Sequence, residues 1–179
     1  MAQLIRHRAI VDDSWTLLRA PAPIAELPDG VPIIVPLAAW QAQRAVLIAR
    51  GEAGVWLAPE DDPAALADDI ERLPLIAIEF PQFNDGRGYS LARLLRHRYG
   101  FRGELRAIGD VQRDQLYYLS QCGFDAFVIR EGKSAEDALH GLDDFSDGYQ
   151  RTQQRTPWFR RRAAPGQAPN PGDVWFPCA

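Results

Sequence analysis

At 179 residues, 46% of them hydrophobic and 25% charged, the chain has the size and composition of one sizeable folded domain. No window approaches the roughly 20 apolar residues that cross a bilayer. The N-terminus, Met1-Ala2-Gln3-Leu4-Ile5-Arg6-His7-Arg8, lacks the apolar stretch of a secretory signal, so the expectation is a cytoplasmic protein that binds no membrane. The net charge of −4 divides into +4 from residue 151 onward and −8 before it, and an acidic body argues against general nucleic-acid binding.

In chain order, residues 4–8 and 15–18 read as two short strands. They flank a polar turn, Val11-Asp12-Asp13-Ser14, and a Pro-rich link follows over residues 21–32. Five apolar runs then start at residues 31, 53, 75, 103 and 125. Helical patterns separate them over residues 39–50, 63–73, 90–99 and 113–122, and a last one covers 134–145. Gly100 and Gly123 stand where helix C-termini favour glycine. Ser134, with Asp137 three residues on, resembles a capping box.

Strands alternating with helices at this spacing predict an α/β fold of repeated βα units with a mainly parallel sheet. Five units are too few for an eight-stranded barrel, so the sheet is expected to be open or partly barrel-like. The short N-terminal strands would extend it. Residues 1–150 form the single α/β domain. Residues 151–179 form an irregular Pro/Arg-rich tail whose Arg160-Arg161-Arg162 run is solvated or grips an acidic surface. Its Trp158, Phe159, Trp175 and Phe176 would dock on the domain, although the Pro-rich composition equally predicts a disordered tail. Open edges need cover, which predicts a homodimer.

Ligands of parallel α/β folds bind at the C-terminal ends of strands. Three such ends are polar here. The first carries Asn84, Asp85, Gly86, Arg87, Gly88 and Ser90; the second Asp110, Gln112, Arg113, Asp114 and Gln115; the third Arg130, Glu131 and Lys133. Gly86 and Gly88 would let backbone approach a ligand. The helix expected to begin near Ser90 offers free N–H groups, and Arg87 a planar cation for a phosphate, sulfate, sulfite or carboxylate. The structural alternative is a tight turn in which Arg87 pairs with Asp85 or Asp110. Asp85 and Asp110 are the candidates for catalytic acid–base work, Asp110 having the competing role of capping the helix after it. Asn84, Gly86, Arg87, Gly88, Ser90 and Arg130 are the candidate ligand-binding residues.

His7, His97 and His140 fall away from these ends. Neither zinc spacing nor a Ser–His–Asp arrangement is present. Two cysteines without a CxxC hold no standard iron–sulfur cluster. Cys122 is expected to be buried near a helix end and Cys178 exposed. No metal set and no dinucleotide fingerprint is legible, and no cofactor is named.

Five blocks carry a resemblance. They are Phe83-Asn84-Asp85-Gly86-Arg87-Gly88-Tyr89-Ser90, Ala92-Arg93-Leu94-Leu95-Arg96, Gly103-Glu104-Leu105-Arg106-Ala107-Ile108-Gly109-Asp110-Val111, Asp114-Gln115 and Gly123-Phe124-Asp125-Ala126-Phe127. Together they resemble a bacterial family of unknown function whose members sit beside sulfite reductase in sulfur assimilation and are labelled oxidoreductases of sulfite reduction. The resemblance covers residues 1 to about 162. It implies an accessory protein of assimilatory sulfite reduction, binding a small oxyanion or the partner sulfite reductase through the 85–90 loop. Two alternatives stand beside it. One is a separate enzyme, an oxidoreductase or acid–base catalyst using Asp85, Asp110 and Arg87. The other is a non-catalytic scaffold.

Overall fold

The five apolar runs become β4 (Ile33–Pro36), β5 (Ala53–Leu57), β6 (Leu75–Phe80), β7 (Glu104–Gly109) and β8 (Ala126–Val128). All five are parallel and lie side by side in chain order. This computed structural model describes residues 3–20 and 30–144. Most of the Pro-rich link and the whole tail, with its aromatics, arginines and Cys178, lie outside the described residues.

The connections are α1 (Leu37–Arg50), a 3-10 helix (Pro63–Asp69), α2 (Arg87–His97) and α3 (Leu116–Cys122), which is entered through a 3-10 turn (Arg113–Gln115). After β8 come α4 (Ala135–His140) and a closing 3-10 turn (Gly141–Asp143). Ser134 caps α4 as expected, accepting from the Asp137 N–H at 3.2 Å. Gly123 ends α3 at φ 105°, a conformation that favours glycine. Cys122 is buried near that end. Crossovers of one hand, advancing one way along the sheet, set the helices on a single face.

The N-terminal segment departs from expectation. β1 (Leu4–Arg6) and β2 (Ala9–Val11) form an antiparallel hairpin, and β1 pairs antiparallel with β8. β3 (Thr16–Leu17) pairs parallel with β4 at the far edge, giving the order β2-β1-β8-β7-β6-β5-β4-β3. The chain reverses at His7 and Arg8, with φ of 49° and 63°, rather than at residues 11–14. Neither is a glycine, so the turn had no local signature. Residues 12–15 instead form a strap between the two edges of the sheet.

That strap fixes the curvature. Seven inter-strand spacings separate β2 from β3, about 34 Å across a flat sheet. Five residue steps from Val11 to Thr16 span at most about 18 Å. The eight strands must therefore curl, and they form a half-barrel whose open side the strap crosses.

Alternation divides the side chains between two faces. Val35, Val55, Ile78, Phe80, Leu105 and Phe127 join Leu91, Leu95, Leu116 and Leu119 in the main core beneath the helices. Ile34, Leu75, Ala77 and Ile108 form a smaller cluster on the concave face, covered by Trp15, Leu17, Trp56 and Val128. The edges end in strands of three and two residues, which leaves little backbone to pair and weakens the motive for dimeric cover.

Candidate functional site

The tips of β6, β7 and β8 meet at Asp110. Its Oδ2 accepts from the Phe83 N–H at 3.2 Å, and its Oδ1 accepts from Gln112 Nε2 at 2.9 Å and Arg130 Nη1 at 3.0 Å. Gly109 makes the approach possible. Its φ is 97°, and a Cβ there would stand 2.3 Å from the Phe80 carbonyl oxygen. The Asp110 N–H donates to that same oxygen at 2.7 Å. Burial pushes the Asp110 carboxyl up, but the bonds from Gln112, Arg130 and Phe83 outweigh it and hold the group below its ordinary range. Asp110 does not cap the following helix: that position belongs to Gln112.

Gln115 adds a second bolt. It is 6% exposed; its Oε1 accepts from the Gln112 N–H at 3.0 Å and its Nε2 donates to the Phe83 carbonyl at 3.0 Å. Two loops distant in sequence thus share one buried amide. The spacing Asp110–Gln115 carried the signal, since Gln at that point faces inward from the first turn of the helix.

The 85–90 loop is tied to itself. Arg87 Nε and Nη2 donate to Asp85 Oδ1 and Oδ2 at 3.0 and 2.7 Å, and the Arg87 N–H donates to Oδ1 at 3.1 Å. These bonds hold Asp85 well below the usual carboxylate range, the guanidinium being the main cause. Glu60 lies 3.9 Å from Arg87 Nη1. Helix α2 begins at Arg87 with Gly86 as its cap, one turn earlier than the sequence suggested. Gly88 is consequently buried in the first turn, where a Cβ would meet the Phe80 ring at 2.6 Å. Its lack of a side chain serves helix–sheet packing, not ligand approach. Gly86 has open space around it. Asn84 and Ser90 are exposed.

A cavity of about 570 Å³ opens on the concave face beside these tips. Its walls include Asp12, Asp13 and Trp15 of the strap, Arg106 and Ile108 of β7, and Arg130 and Glu131 beyond β8. Of the expected ligand-binding residues only Arg130 lines it; Arg87 stands outside its walls. The unanticipated group is Arg106, 1% exposed in the middle of a buried strand. Its Nη1 donates to both Asp13 oxygens at 2.9 and 2.8 Å, and its Nε donates to Glu104 at 2.8 Å. Nη2 lies 2.7 Å from the same Glu104 oxygen, yet out of line, so it makes no hydrogen bond. The signal was a charged residue amid Leu105, Ala107 and Ile108, where central parallel strands run apolar.

Among the described residues no group of three or more histidines, cysteines or carboxylates is arranged to hold a metal ion, and no helix is long and apolar enough to cross a membrane.

Residues 54–159 match the family described as "Bacterial protein of unknown function (DUF934)". The chain belongs to that family. The DUF934 match covers β5 to β8 and every group at the Asp110 junction. It excludes the strap and Asp13, which complete the cavity from outside it. No curated protein matches the chain.

Proposed function

We propose that this protein is an accessory component of sulfite reduction that docks on a partner reductase through the rim built by the loop after β6. The observation that carries the reading is the state of Arg87. Its guanidinium is committed to Asp85 in a two-point pair, so a free oxyanion would have to break that pair to be held. A protein partner can take the loop as it stands. Asp110 and Gln115 fix its shape, and Phe83 is left 44% exposed at its crest. A rigid polar rim around one projecting aromatic suits a protein interface. The choice of sulfite reductase rests on the sequence resemblance. Acid–base catalysis by Asp85 and Asp110 draws little support from their surroundings, because both are held ionised well below neutral pH.

The test is retention of purified sulfite reductase by the immobilised full chain. Phe83→Ala is expected to weaken retention by about tenfold or more, as for an interface anchor. Sulfite and sulfate should give no binding heat. Failure to retain the reductase, or retention indifferent to Phe83→Ala, counts against docking. Sulfite binding abolished by Arg87→Ala would restore the oxyanion role of the loop.

A further inference from the structure

The concave cavity is independent of the rim and needs its own account. A volume of about 570 Å³ lies within the range of about 300–1,000 Å³ common for small-molecule sites. It equals the liquid volume of roughly 20 waters, far more than an inorganic oxyanion fills. Trp15, Leu17, Ile34 and Ile108 give it apolar walls.

Its floor holds a charge that the fold does not require. An apolar side chain at position 106 would complete the surface formed by Ala77, Ile108 and Val128 at no desolvation cost. Instead a guanidinium is buried there, its charge met by Glu104 and Asp13. Arg106 is fixed on a central strand between β6 and β8. Asp13 holds no place in a strand ladder: it lies on the strap between β2 and β3, 22% exposed, and apart from Arg106 its Oδ1 accepts from the Trp15 N–H of the same strap at 3.0 Å. The cluster of Arg6, Arg106, Glu104 and Asp13 is joined by contacts of 2.7 to 3.5 Å and carries no net charge. If Asp13 leaves, one positive charge remains uncompensated beneath the cavity.

We propose that the cavity binds an organic monoanion, a carboxylate or sulfonate carrying a flat apolar group, whose charged end replaces the Asp13 carboxylate on Arg106 while its apolar part lies against Trp15. Asp13 is then an internal stand-in for the ligand. Its displacement lifts the strap and frees Nη1, which both Asp13 oxygens now occupy, and the two oxygens of the ligand take that edge of the guanidinium.

The probe is naphthalene-2-sulfonate, with neutral 2-naphthalenemethanol and inorganic sulfate as controls, titrated calorimetrically into the full chain. The sulfonate is expected to bind at least about tenfold more tightly than either control, the scale of one charge-assisted hydrogen-bonded contact. Asp13→Asn removes the competing charge and keeps the side-chain shape, so it should tighten sulfonate binding about threefold or more while leaving the neutral control unchanged. Val128→Phe narrows the cavity beside Ile108 without touching an ion pair and should weaken sulfonate binding. Arg106→Met should abolish it; if that variant does not fold, the other two decide. Equal binding of the sulfonate and the neutral analogue overturns the proposal. So does sulfonate affinity that is unchanged in Asp13→Asn or in Val128→Phe.

Discussion

Replacing Gly109 with alanine tests whether the Asp110 junction depends on the backbone beneath it. At φ 97° a side chain enters a region that costs about 1–2 kcal/mol for an L-residue. The added Cβ would also stand 2.3 Å from the Phe80 carbonyl oxygen and 3.0 Å from its carbon. Both are main-chain atoms of a central strand and cannot swing aside, so overpacking adds about 1–3 kcal/mol. The sum, about 2–5 kcal/mol, is a large share of the stability of an ordinary domain. At about 2–4 °C per kcal/mol for a chain of this size, the melting temperature should fall by about 4–20 °C. Gly86→Ala is the matched control. Its backbone is unstrained at φ −81° and nothing lies within 4 Å of the new methyl, so the expected change is within about 1 kcal/mol. Urea titration of both variants, with unchanged m-values, gives the comparison. Equal stability of Gly109→Ala and the wild type would refute the claim that β7 must end on a left-handed residue pressed against β6.

Gly88→Ala should destabilise by up to about 3 kcal/mol through the Phe80 ring, offset in part by about 1 kcal/mol of helix propensity, and calorimetric melting reads the net. Gln115→Leu removes the bond to the Phe83 carbonyl and the bond from the Gln112 N–H; a loss of about 1–3 kcal/mol is expected, with faster amide hydrogen exchange at Gln112. Asp69 is 3% exposed at its side chain; it takes Arg44 Nε at 2.7 Å and the Trp40 indole N–H at 3.0 Å and titrates below its usual range, chiefly because of Arg44. A depressed folded pKa confers stability that is complete above the unfolded value, about pH 4, and is lost as pH falls through the folded one. Asp69→Ala should therefore melt lower than wild type at pH 7, by about 1–3 kcal/mol for the orphaned Trp40 donor alone, and the gap should narrow in melts run toward pH 3.

Much of the architecture was readable because the strands are buried on both faces. Such strands appear as short apolar runs, and the runs starting at 53 and 75 begin where β5 and β6 do. The N-terminal strands were visible as β-formers, but their partners were not. Leu4, Ile5 and Arg6 pair with Val128, Phe127 and Ala126 at the other end of the domain sequence, and Thr16 and Leu17 pair at the opposite edge. No local pattern encodes that choice. At the site, the gathering of three polar tips was legible from strand polarity alone, and Asp110 and Arg130 do meet. The role of Arg87 was not, because a guanidinium two residues from a carboxylate reads equally as clamp or as pair. Arg106 was hidden by the opposite fault: its strand looked wholly like core, and only the alternation Glu104, Arg106, Ile108 placed a charge on the concave side.

The folded unit extends beyond the family match at residues 54–159, because β1 to β4 complete the sheet. A fragment cut at residues 54–159 would keep four parallel strands and lose the four that flank them on both sides. It would leave β5 and β8 as raw, hydrophobic borders of a flat-edged remnant, the setting in which chains zip onto one another. Expression of that fragment should yield aggregates where the full chain stays dispersed. An affinity tag fused beside Leu4 would crowd a strand that stitches directly to β8.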